Sequence, residues 1–224
     1  MKLYTHPIST TCRPIMMFAA EQGIPLEMQV VDLFTGEHTK APYGAINPNH
    51  LIPVLEDGDF RLTESSAIMK YLAEKAGSPL YPKDLQQRAR VNERMDWINT
   101  QLGREFCYGV VYPQIFPHHK RRSAEAQEAT LQWGKEHAQR WLKVLDENIL
   151  GPGNNYLCGD SLTIADFYGA AFLTLGEVVG CRFSDYPNVQ RWLGRMKALK
   201  SWKQVNETLD GVVAANKDKS FVSI

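Results

Sequence analysis

The feature that narrows the fold most is a change of texture along the chain. Residues 1–77 alternate short strand patterns with helix patterns, and beyond about Asp84 strand patterns almost vanish. "KLYT" reads as a first strand, and the apolar run "IMMFAAEQG" reads as a helix that Gly23 ends. In "PLEMQVVDL", Leu26, Met28 and Val30 alternate with Glu27, Gln29 and Val31, the period of a strand. "IPVLEDGDFRLTE" reads as a hairpin, because Asp-Gly tolerates the positive φ that a tight turn needs. "TESSAIMKYLAEKAG" places Ala67, Ile68, Tyr71 and Leu72 on one helical face, closed by Gly77. The expected order is β-α-β-loop-β-β-α.

"GSPLYPKD" has the Pro, Gly and Ser content of a linker, so the expected organisation is a first domain at 1–77, a linker at 78–84 and a helical domain at 85–224. Trp133, Ala138, Trp141, Leu142, Leu145 and Ile149 form a helical stripe that "GPGNN" stops. All five tryptophans fall in this half and are expected in its core, since a large aromatic on a helix most often fills a packed interior. In "SLTIADF", Thr163 and Asp166 have capping-box spacing and are expected to start a helix.

Composition narrows the ligand. With 25 basic and 25 acidic residues, neither a nucleic acid nor an anionic membrane is suggested as a partner, so a small molecule is expected. The four cysteines show no C-x-x-C pair and the start has no signal-peptide pattern, which points to a reduced, cytoplasmic protein. No apolar run approaches the roughly 20 residues of a membrane span. "HHKRR", His118 to Arg122, reads as solvated surface, and neither a phosphate loop nor a metal motif stands out, so no metal is expected.

"STTCRP" holds two nucleophile candidates, the Ser9 hydroxyl and the Cys12 thiol. Both lie near the start of the first helix, where free backbone N–H groups favour negative charge. The residues alone leave both open.

The module order together with "ISTTCRP", His38, "INPNHLIPVLEDGDFRLTESSAI", "YPKDLQQRARVNERMDW" and "LTIADF" resembles the soluble glutathione transferases over nearly the whole chain, on the serine-type theta and delta side. The resemblance implies a thioredoxin-like α/β N-terminal domain and an all-α C-terminal helical bundle. It implies glutathione as co-substrate, a small hydrophobic electrophile, a detoxification role and a homodimer. It places Glu64 and Ser65 on the γ-glutamyl ammonium and carboxylate, and Ile52 on the cysteinyl part through a cis bond to Pro53. His38 and His50 then serve the glycine end. Arg104, Phe106, Tyr108, Tyr112 and, on the same stretch, Phe116 are expected near the electrophile.

Three positions depart from the family pattern: Thr11 and Leu51 stand where proline and lysine are frequent, and Ser66 where arginine is. Glutathione brings its own sulfur, so Ser9 is the expected catalytic group, as a donor to the thiolate. Two alternatives are a thiol transferase acting through Cys12 and a non-catalytic binding or regulatory protein on the same fold.

Overall fold

The computed structural model describes residues 1–224. Strands β1 (Lys2–Thr5), β2 (Glu27–Val30), β3 (Val54–Asp57) and β4 (Phe60–Leu62) form one sheet in the order β2-β1-β3-β4. β1 pairs parallel to β2 across the crossover helix α1 (Arg13–Gln22), and antiparallel to β3. Gly23 ends α1 at φ 65°, a left-handed conformation that costs glycine little. Gly58 turns the β3–β4 hairpin at φ 61°. The short helix α2 (Ala41–Gly44) lies in the long loop before β3, and α3 (Ser65–Lys75) follows β4. The layout is the thioredoxin-like arrangement that the resemblance implies.

β2 differs from its reading. All four of its residues are exposed, because it is an edge strand paired only with β1, and the burial starts one residue later at Val31. In α3 the buried face is Ile68, Met69, Leu72 and Ala73, rotated from the expected Ala67 and Tyr71.

The remaining chain is helical. α4 (Leu85–Trp97) continues through wide π-helical turns, Ile98–Leu102 and Arg104–Val111, into α5 (Tyr112–Ile115). α6 (Ala124–Val144) ends in a further π-helical stretch, Leu145–Leu150. α7 (Ile164–Thr174), α8 (Pro187–Lys197) and α9 (Lys200–Asn216) complete the bundle. No helix is long and apolar enough to cross a membrane.

Gly109 and Gly134 let the π-helical segment and α6 touch backbone to backbone: a Cβ on Gly109 would lie 2.8 Å from the Gly134 Cα. One continuous apolar core runs from Leu3 and Ile15 under the sheet to Phe167, Trp192 and Trp202 in the bundle. Not every tryptophan belongs to it. Trp133 is 59% exposed and stacks on His137 with ring centroids 4.1 Å apart, while Trp97 and Trp141 meet edge-on and are half-buried.

α7 is buried along its whole length, and its start is organised by the expected capping box. Asp166 Oδ2 accepts from the Thr163 N–H at 2.8 Å and its hydroxyl at 3.0 Å. Oδ1 accepts from the Leu157 N–H at 2.8 Å and the Trp192 indole at 3.0 Å. Burial pushes this carboxyl up to about 6, against four donors that favour the anion, so it is ionised at neutral pH. Asp166→Asn turns an NH2 group toward two buried donors. Chemical denaturation at neutral pH is expected to show a loss of about 1–3 kcal/mol, the cost of leaving buried donors unpaired.

Candidate active site

The loop from β1 into α1 carries Ser9. Its backbone is held on both sides: its N–H donates to His6 C=O at 2.9 Å, and its C=O accepts from Arg13 N–H at 3.0 Å. Its hydroxyl accepts from the Cys12 N–H at 3.3 Å and lies 3.2 Å from the Thr11 hydroxyl. Ser9 is half-buried and lines a cavity of about 480 Å³ with Ile8, Thr10, Phe34, Leu51 and Ile52. Cys12, one helical turn away, is fully buried. Burial pushes its thiol up, partly opposed by hydrogen bonds with Ser9 and Thr5, so the unreactive thiol form is favoured.

The opposite side of the cavity comes from the loop between α2 and β3. Asn47, almost fully buried, donates to Leu51 C=O at 2.6 Å and accepts from Asn49 N–H at 3.0 Å, and the Tyr43 hydroxyl donates to the same carbonyl at 2.8 Å. These bonds shape the turn that presents Leu51 and Ile52. The Ile52–Pro53 peptide is cis. The Thr11 hydroxyl donates to Ile52 C=O at 3.2 Å, tying the two loops together.

His38 and His50 both line the cavity. His50 Nδ1 meets His38 C=O at 2.9 Å, and since a carbonyl only accepts, Nδ1 carries the proton and Nε2 is the free nitrogen. Gly44 makes room for this ring: a Cβ there would stand 2.7 Å from His50 Cε1. His38 Nδ1 is buried without a partner.

Pro53 is buried directly behind Ile52. Glu64 and Ser65 lie outside this cavity's lining, at the start of α3, where Glu64 adopts φ 62°. That conformation is rare for a non-glycine residue and clusters at functional positions. Ser65 is buried with its hydroxyl 3.5 Å from that of Tyr168, while the adjacent Ser66 is half-buried. The expected carboxylate ligand thus has a polar neighbour inside the protein.

The helical wall departs from expectation in both directions. Tyr112 and Phe116 line the cavity, and the Tyr112 hydroxyl donates to Thr10 Oγ1 at 3.1 Å; burial pushes its phenol up, so it stays a donor. Phe106 is fully buried against Phe183 and the backbone of Gly176, a core residue and no part of the wall. Arg104 and Tyr108 open onto a separate groove with Trp133, although the Tyr108 ring meets Tyr112 edge-on at 4.8 Å.

In the stretch read as solvated surface, His118 is exposed and His119 half-buried, and both also join the cavity lining. His119 stacks on Tyr112 at 5.2 Å and His118 on Phe116 at 5.7 Å, and burial together with His118 and Arg121 lowers the His119 pKa. The sequence signal for this wall was present in the row of aromatic rings. The turn at Pro117 that folds it back was not legible.

A cleft between a thioredoxin-like sheet and a helical bundle, with a hydroxyl at the start of α1 and a cis-proline loop opposite, is the layout of one enzyme class. Residues 8–75 match the model of the glutathione S-transferase N-terminal domain, and residues 106–200 that of its C-terminal domain. The chain is 33% identical over 201 residues to human glutathione S-transferase theta-1, covering 88% of this chain and 82% of that protein. It superimposes on the apo form of human glutathione S-transferase T1-1 with a TM-score of 0.81 at 31% identity, over 98% of this chain and 91% of the other. Human glutathione transferase theta-2 in complex with glutathione gives 0.82 at 29% identity, over 100% and 93%. A delta-class enzyme of Nilaparvata lugens gives 0.79 at 31%, over 96% and 98%. This chain belongs to the glutathione S-transferase family, whose enzymes transfer groups to glutathione.

Proposed function

We propose that the protein binds glutathione in the cleft beside Ser9, holds its sulfur as the thiolate and conjugates it to a small apolar electrophile. The observation that carries this reading is the contrast within "STTCRP": the Ser9 hydroxyl lines the cavity while the Cys12 thiol is fully buried beneath it. A thiol transferase acting through Cys12 requires a mixed disulfide, for which an attacking sulfur must reach the thiol. Burial removes that access.

In the proposed mechanism the Ile52 backbone takes the cysteinyl amide, and Glu64 with the start of α3 takes the γ-glutamyl end. His38 and His50 face the glycyl carboxylate, with Leu51 in place of a cation. The Ser9 O–H donates to the sulfur, and the thiol proton is released to solvent. The thiolate then attacks an electrophilic carbon, forming an S–C bond as the leaving group departs with its electron pair. Tyr112, Phe116, His118 and His119 form a largely aromatic wall suited to an apolar, planar electrophile. Detoxification of such compounds in the cytoplasm fits this chemistry.

One charge-assisted hydrogen bond of roughly 1.5–3 kcal/mol lowers a thiol pKa by about one to two units. From an ordinary value of about 8.5, that gives a substantial thiolate fraction at neutral pH. In a conjugation assay across pH, Ser9→Ala is expected to lose about one to two orders of magnitude at neutral pH and to recover partly as pH rises. Cys12→Ser is expected to keep most of the activity. The reverse pattern would place the chemistry on Cys12.

The protein is further proposed to act as a two-fold homodimer, the commonest symmetry of soluble oligomers. Light scattering is expected to give twice the 25.4 kDa chain mass, and the single-chain mass at micromolar concentration would contradict this.

A further inference from the structure

His6 follows β1 and opens the loop that carries Ser9, and it holds that loop with two acceptors. Pro7 has no N–H, so the backbone donors leading up to the Ser9 hydroxyl are those of Ile8 and Ser9. The Ser9 N–H donates to His6 C=O at 2.9 Å, and the Ile8 N–H donates to His6 Nδ1 at 3.3 Å. One residue thus takes both. Because Nδ1 accepts, the neutral ring carries its proton on Nε2.

The imidazole is buried and does not itself line the cavity. Its neighbours do: Ile8, which shares its hydrogen bond, and Phe34, whose ring meets it edge-on with centroids 5.4 Å apart. On the β2 side the charged group that bears on the ring is Asp32, whose Oδ1 accepts from the Phe34 N–H at 2.8 Å and the Thr35 N–H at 3.1 Å. On the α1 side the titratable neighbour is the Cys12 thiol, hydrogen-bonded with the His6 backbone.

We propose that His6 is a positioning residue for the conjugation reaction: through an unprotonated Nδ1 it fixes the Ile8 peptide and with it the direction of the Ser9 hydroxyl. This rests on the proposed function, in which the Ser9 O–H donates to the sulfur. The hold depends on pH in one direction. Burial lowers the His6 pKa from its ordinary 6.5, against Asp32, which raises it, so the ring is neutral at neutral pH. As pH falls through that pKa, Nδ1 gains a proton and sets a second donor against the Ile8 N–H. Ile8 is buried, so water does not take over its peptide and the loop shifts. The positioning is present above the His6 pKa and lost below it.

The test compares wild type with His6→Asn and His6→Leu. Asn presents Oδ1 where Nδ1 stood and accepts without titrating, while Leu leaves the Ile8 N–H unpaired. Calorimetry first establishes that glutathione is bound. Ultraviolet titration of the bound thiol is then expected to read about half a unit to one unit higher in His6→Leu than in wild type, with His6→Asn restoring the wild-type value. With an aryl halide and saturating glutathione, kcat/KM for the halide is expected to fall with one proton as pH drops and, below the His6 pKa, with two in wild type. In His6→Asn it is expected to fall with one proton throughout. A His6→Leu protein that titrates like wild type overturns the role of His6, and so does a His6→Asn protein that behaves like His6→Leu, by tracing the effect to the lost ring. If His6→Leu does not fold, the comparison of wild type with His6→Asn decides, and equal proton counts overturn the proposal. Nitrogen NMR of the His6 ring reads the acceptor without any ligand: a protonated Nδ1 at neutral pH overturns the role of His6 alone. Failure of wild type to bind glutathione overturns it together with the functional reading beneath it.

Discussion

The structure depends on a buried guanidinium. Arg13, the first residue of α1, is fully buried and reaches into the helical bundle. Its terminal nitrogens donate to Asn206 Oδ1 at 2.8 Å, Thr174 Oγ1 at 3.2 Å and Ala171 C=O at 2.5 Å. These acceptors are neutral, and its Nε has no partner. Burial lowers its pKa to about 10, so the charge persists at neutral pH. Hydrogen bonds to a charged group contribute about 1.5–3 kcal/mol each and here offset the cost of taking the cation out of water. The result is a rivet between the sheet layer and the bundle, with α1 between them. Asn206 extends it, donating to Trp202 C=O at 3.0 Å and contacting Met17 sulfur at 3.2 Å.

That rivet fixes the end of α1 from which the site is built. The Arg13 N–H also closes the turn onto Ser9 C=O, so anchoring the side chain in the bundle anchors the backbone that aims the Ser9 hydroxyl. From the other side, Tyr112 reaches Thr10 in the same loop. The loop "STTCRP" is therefore held by the helices behind and beside it and by Ile52 across the cleft. A site at the seam of two layers keeps its geometry only while the layers keep theirs.

What the sequence made legible is what is local. The left-handed stop at Gly23, the Asp57–Gly58 turn and the Thr163–Asp166 box each rest on residues within a few positions of one another. Pairing across the fold is not encoded that way: Arg13 finds its partners 158 to 193 residues away, and nothing in "CRP" announces a buried cation. The expectation that Phe106 and Tyr108 lie beside the electrophile failed for a different reason. Residues 98–102 and 104–111 are π-helical, and i→i+5 turns rotate side chains away from the faces that a 3.6-residue period assigns. Resemblance located Ser9, His38, His50 and Ile52 along one cavity, where spacing alone left Ser9 and Cys12 equal.

The central claim is that this cleft lowers the pKa of a bound thiol through the hydroxyl of Ser9. Ultraviolet difference titration of glutathione on wild type and on Ser9→Ala reads that quantity without any electrophile. The account predicts a thiol that ionises about one to two units below its free value on wild type and close to that free value on Ser9→Ala. Glutathione that binds wild type yet ionises as it does in water would contradict it.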